Sequence, residues 1–214
     1  MTSTIPGGEF LTGALNVISQ SLLIPVIILL LVIVVISILV AGSLISEYTS
    51  RKKVPVKVIK NLIYDINTAT TNMELKEIIA NSKIPKSQKK ILTEIADSES
   101  LDKDNREALA RKLVEHEEEK IDKTLEKTDI ITRIGPTLGL MGTLIPMGPG
   151  LSALGTGDIV ALSSALIVAF DTTVVGIGAG ALCYVISKIR RGWYDQYISD
   201  LDALSDTVLD YMNK

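Results

Sequence analysis

No Lys or Arg separates Arg133 from Lys188, and two carboxylates stand in that apolar interval. Asp158 lies in the turn sequence GTGD. Asp171 lies in the middle of ALIVAFDTTVVGIGAGAL, beside Thr172 and Thr173. A carboxylate near the middle of a hydrocarbon-spanning segment is costly, so it is a functional-site candidate by default. A hydroxyl both donates and accepts a hydrogen bond, so threonines in such a segment can hand on a proton or a dehydrating cation. Thr143 is the hydroxyl in the middle of the preceding apolar stretch, PTLGLMGTLIPM. Asp171, Thr172, Thr173 and Thr143 are therefore the residues able to form an ion pathway. On a helix Asp171 and Thr173 stand about 200° apart. If one faces a pore, the other faces a helix–helix interface. Other chemistries lack their parts. There is no Ser–His or Asp–Asp pair and no phosphate loop, so no catalytic residue is assigned. With one Cys and one His, neither a disulfide nor a metal cluster is expected.

These residues need membrane helices to position them. The chain has 214 residues, 47% hydrophobic, with formal net charge -3. Its charges are segregated. There is no Lys or Arg before Arg51, and 18 of the 22 fall between Arg51 and Arg133. An integral membrane protein with one polar domain is indicated. Aromatic content of 4% and mixed charge argue against nucleic acid. Residues 1–21 read as a short, weakly polar external segment, without the basic start of a signal peptide. Residues 22–45 carry no charge and are long enough to cross a bilayer of about 30 Å. Arg51, Lys52 and Lys53 follow this span, and Lys188, Arg190 and Arg191 flank the last one. Both clusters lie inside only with three spans, the N-terminus outside and the C-terminus cytoplasmic. The GTGD turn then faces outside.

Residues 46–132 form the expected cytoplasmic domain. KVIKNLIYDI places Val58, Leu62, Ile63 and Ile66 on one helical face. A second helix starts near Asn72 and ends at Ile84-Pro85. Ser87 can cap a third, and Ser100 can cap a long one. That long helix is expected to continue into the second span, 133–155. EHEEEK reads as a solvated face and His116 as an exposed helix residue. The second span holds Gly135, Pro136, Gly139 and Gly142, too many breakers for a plain lipid-facing helix. The third span, 159–189, repeats small residues at Ala169, Gly176 and Gly180. Residues 190–214 form a C-terminal helix with Ile198, Leu201, Leu204, Val208 and Tyr211 on one side, expected to pack on the long helix. Trp193 and Tyr194 read as anchors near the membrane interface. The fold class is thus all-α integral membrane: three transmembrane helices, two of them extended into a helical cytoplasmic domain.

Three features resemble the MotA/TolQ/ExbB proton-channel family. PTLGLMGTLIPM is similar to its A-P-L-L-G-L-L-G-T-V. ALIVAFDTTVVGIGAGAL is similar to A-L-x-x-T-x-x-G-L-x-x-A-I-P. The layout, an early span, a charged domain, a two-span hairpin and a helical tail, is nearest to ExbB or TolQ. The resemblance implies a ring-forming stator subunit in the cell membrane. Five copies surround two copies of a single-span ExbD/TolR/MotB-like partner, whose helix carries the ion-binding aspartate. The transported ion is H+ or Na+, and no cofactor is implied. Thr143 and Thr173 match the pore threonines. Pro136, Gly139 and Gly142 match the family's packing positions, with Ala169, Gly176 and Gly180 completing the small-residue lining. The chain departs from the pattern at Val168, where ExbB- and TolQ-like members carry an acidic residue, and near Leu182, where a proline is common. Two other classes compete with this reading. A non-conducting membrane scaffold explains the glycines but not the trio Asp171, Thr172 and Thr173. An intramembrane enzyme lacks a second catalytic group.

Overall fold

The computed structural model describes residues 8–51 and 54–213. Residues 1–7, Lys52, Lys53 and Lys214 lie outside the described residues. The first seven positions of the expected external segment and two of the three cations after the first span are among them. The described chain is helical, with no strand. Its seven helices are α1 (Gly8–Ser21), α2 (Leu23–Ser50), α3 (Val56–Thr68), α4 (Asn72–Asn81), α5 (Lys86–Ala96), α6 (Lys103–Gly155) and α7 (Ile159–Met212). Three stretches are long and apolar enough to cross a membrane: Phe10–Ser50, Lys103–Gly155 and Ile159–Met212. The chain forms two compact units, one from Met1–Glu47 and Glu126–Lys188, the other from Tyr48–Leu125 and Ile189–Lys214.

The first, apolar unit is held by α2 lying against both long helices. Val26, Leu30 and Ile33 of α2 are buried with Ile131, Leu138 and Ile145 of α6 and with Ala179 and Cys183 of α7. Ser37 reinforces the contact, its Oγ 3.3 Å from Cys183 Sγ. The outer face of α2 stays apolar and exposed, as at Leu31 and Leu39, as a lipid-facing helix requires. α1 was not anticipated. The segment reads only as short and weakly polar, yet Phe10, Leu11, Leu15 and Ile18 recur at helical spacing and all are exposed. α6 passes unbroken through Pro136, Pro146 and Pro149.

The α6–α7 hairpin turns on Gly157, whose φ of 79° is open to glycine without a Cβ penalty. The amides of Gly157 and Asp158 close the end of α6 onto the carbonyls of Leu154 and Ala153, both at 3.0 Å, the bond pattern of a glycine-ended helix. Asp158 then caps α7, its Oδ1 accepting the Ala161 amide at 2.9 Å. That bond gives this carboxylate a local structural role.

The second, charged unit packs α3, α4 and α5 against the outer ends of α6 and α7. Ile59, Leu62 and Ile66 share a core with Leu92, Ala110, Val114, Leu201 and Leu204, so the tail packs on the long helix as expected. The helix starts differ from expectation at two places. α5 begins after Pro85 with no side-chain cap. Ser87 Oγ instead lies 2.7 Å from Tyr197 Oη. α6 is capped by Asp102, whose Oδ1 accepts the Asn105 amide at 3.2 Å, not by Ser100. An aspartate two residues nearer the helix reaches its free amides with a full charge. EHEEEK is not solvated throughout. The Glu117 side chain is only 13% exposed and accepts from Tyr197 Oη at 3.0 Å. His116 is exposed, with Glu119 4.0 Å away.

Candidate ion pathway

Glycines set the distance between α6 and α7 in the apolar unit. A Cβ placed on Gly135 would meet the Gly176 carbonyl oxygen at 2.8 Å, and one on Gly176 would meet Gly139 Cα at 2.8 Å. Such contacts leave no space for a side chain, so the two backbones touch. Pro136 lies on Gly180, where an added Cβ would approach its Cδ to 2.8 Å. Pro136, Gly139, Gly142, Gly176 and Gly180 therefore form one packed seam. Ala169 is 3% exposed in the same stripe. Proline has no N–H, so Pro146 leaves the Gly142 carbonyl without its usual helical donor. This oxygen beside Thr143 was not singled out from the sequence, although the Gly142–Pro146 spacing of four encodes it.

The four candidate pathway residues occupy three environments. Thr172 is 8% exposed and sits against Gly142, where an added Cβ would lie 2.5 Å from its own Cβ. Its hydroxyl donates within α7, to the Val168 carbonyl at 2.9 Å or that of Ala169 at 3.0 Å. Thr173 is half-buried beside Gly139 and donates to the Ala169 carbonyl at 3.1 Å. Thr143 is half-buried one turn beyond Gly139 and donates to the Leu140 carbonyl at 2.6 Å. Asp171 is exposed.

Helical rotation of about 100° per residue places them around the seam. On α7, Ala179 lies about 60° to one side of Gly176 and packs toward α2, while Thr173 lies about 60° to the other. On α6, Leu138 lies about 100° to the α2 side of Gly139, while Thr143 lies about 40° to the other. Both threonines thus flank the same edge of the seam, the edge away from α2, within about one turn of each other. Asp171 points from the far side of α7, and this chain does not bring it to that edge. An edge carrying two hydroxyl oxygens can receive a dehydrated cation or a proton donor, which lipid cannot do.

A model of the MotA/TolQ/ExbB proton channel family matches residues 75–203, from α4 to most of α7. The chain belongs to the MotA/TolQ/ExbB proton channel family. No curated protein gives a match. As a MotA/TolQ/ExbB protein, the chain is a membrane protein with an ion-channel role in energy-coupling complexes, in a family of transport proteins rather than enzymes. The family works with partners of the ExbD/TolR/MotB type. The match covers the seam and both threonines, whereas α1 and α2 fall outside it.

Proposed function

We propose that this chain is the ring-forming subunit of an ion-driven membrane motor, five copies surrounding two copies of a single-span ExbD/TolR/MotB-like partner. H+ is the transported ion, with Na+ as the alternative. The observation that carries this reading is the threonine edge. Thr143 and Thr173 share one side of the α6–α7 seam, and α2, with its apolar outer face, occupies the other. A ring with α2 outermost turns both threonines toward its centre, where a partner helix stands. Residues 22–45, 133–155 and 159–189 are the spans, with the N-terminus outside and residues 46–132 and 190–214 in the cytoplasm. A membrane potential supplies about 2.3 kcal/mol per charge per 100 mV, a few RT, enough to bias a mechanical step. Thr172 supports the pathway by holding the seam. Asp171 is assigned to the outer flank of α7, where it accepts a hydrogen bond from a neighbouring chain.

The test is ion flux in liposomes containing this chain with the single-span protein encoded nearest to it. Wild type is expected to conduct, and Thr173→Val to lose most of the flux with the complex intact. Asp171→Asn is expected to retain the larger part. An intact complex that conducts no better than empty liposomes would establish the non-conducting scaffold instead. Flux that depends on sodium and not on pH would replace H+ by Na+.

A further inference from the structure

The charged unit has an open groove of about 470 Å³ between its parts of α6 and α7. Four carboxylates line it, Glu118 and Asp122 from α6, Asp195 and Asp202 from α7, against one cation, Arg191. Ile121, Leu125 and Ile198 form an apolar floor. The acidity continues along the tail, because residues 192–213 include five Asp and no Lys or Arg. The rest of this unit has the opposite balance. Residues 51–97 hold ten Lys or Arg and five Asp or Glu.

The exposed side of α3 complements the groove in chemistry. Val56 is 75% exposed and Tyr64 61% exposed, with Lys57 and Lys60 exposed between them. Lys60 Nζ stands 5.8 Å from the centre of the Tyr64 ring. This is an apolar, aromatic and cationic strip one helix face wide. Its level also matches. Arg51 Nη2 donates to the Trp193 carbonyl at 2.7 Å, and its guanidinium lies 5.1 Å from the centre of the Trp193 ring. The chain entering α3 is thereby held beside the turn of α7 that borders the groove. None of the residues that line the groove comes from α3, and Trp193 lies about 140° around α7 from Ile198 and about 180° from Asp202, so the α3 strip of a copy stands outside its own groove.

We propose that the groove receives the α3 face of a second copy of this chain, with Lys57 and Lys60 against Asp195 and Asp202 and with Val56 and Tyr64 on the apolar floor. Two complementary surfaces at one level on opposite sides make a head-to-tail contact, and such a contact closes into a ring when its rotation allows. The proposal rests on the multi-copy reading above and names the contact that builds it. Burial and the neighbouring Asp206 hold the Asp202 carboxyl above its ordinary range, and a lysine seated there offsets that cost.

The test uses the full chain in lipid nanodiscs, on a Cys183→Ser background, with its copy number measured by native mass. Val56→Cys and Ile198→Cys together are expected to give a ladder of disulfide-linked copies on mild oxidation. Two differently tagged chains carrying one cysteine each should link to one another. Lys57→Glu with Lys60→Glu should reduce the ladder several-fold, and adding Asp195→Lys with Asp202→Lys should restore it. A multi-copy wild type with no ladder, or a ladder indifferent to charge reversal, would overturn this contact and leave the ring. A single-copy wild type would overturn both.

Discussion

Thr143 and Thr173 each commit their hydroxyl proton to a carbonyl of their own helix, which leaves the oxygen lone pairs to accept from outside. In that arrangement the hydroxyl oxygen, and not the methyl group, is what the pathway needs. Thr173→Ser is therefore expected to conserve flux in the same liposome assay in which Thr173→Val loses it. Equal loss from both would assign Thr173 to packing. In the charged unit the Tyr197 phenol is strongly perturbed. Burial first, then the charge of Glu117, pushes its phenol up to about 12 from 10.0, while the Ser87 hydrogen bond opposes the shift. The folded value exceeds the unfolded one. The resulting stabilisation is complete below pH 10 and is lost as pH rises toward 12. Unfolding midpoints measured from pH 9 to 12 should fall more steeply for wild type than for Tyr197→Phe. Parallel profiles would count against a buried phenol.

At the scale of the element, the seam distinguishes glycines that look alike in sequence. Gly176 and Gly178 stand two residues apart on α7. A Cβ on Gly176 would meet the Gly135 carbonyl at 2.5 Å, whereas one on Gly178 meets nothing within 4 Å. Backbone atoms cannot swing aside as a side chain can, so Gly176→Ala must force the helices apart, at a cost of about 1–3 kcal/mol. Gly178→Ala should cost nothing, because alanine is the better helix former. Thermal unfolding of the two variants in one detergent checks the contrast, and equal midpoints would deny the close approach of α6 and α7. The charged unit is tied at its end by Arg106. This buried guanidinium donates to the carbonyls of Leu101 and Met212 at 2.9 and 3.1 Å, joining the start of α6 to the end of α7.

At the scale of the whole molecule, the segregation of charge predicts a topology. Cations gather after the first span and beside the third, and cations are retained on the cytoplasmic side. A cysteine at Thr156, in the exposed turn between α6 and α7, should react with a membrane-impermeant maleimide in intact cells. A cysteine at Glu118 should react only after permeabilisation, and the opposite result would invert the topology. Much of this organisation was legible in the residues alone. Uncharged runs of spanning length, an unbroken helical pattern into PTLGLMGTLIPM and the small-residue spacing around Gly176 act locally or through composition. They therefore specified three spanning helices, long helices running into the charged region and a glycine seam. The N-terminal helix was not read from the sequence because its segment is short and weakly polar, and its apolar residues Phe10, Leu11, Leu15 and Ile18 are exposed. Ser100 was misread as a cap because several oxygens compete for a helix start and only the folded chain selects one, and Ser87 because its hydroxyl turns to a tyrosine distant in sequence, Tyr197. Rotation about a helix is likewise set by what packs on it. The sequence by itself determined that Asp171 and Thr173 must part company. Only the contact of α2 with Leu138 and Ala179 decided that Thr143 and Thr173 share the opposite edge while Asp171 lies off that edge.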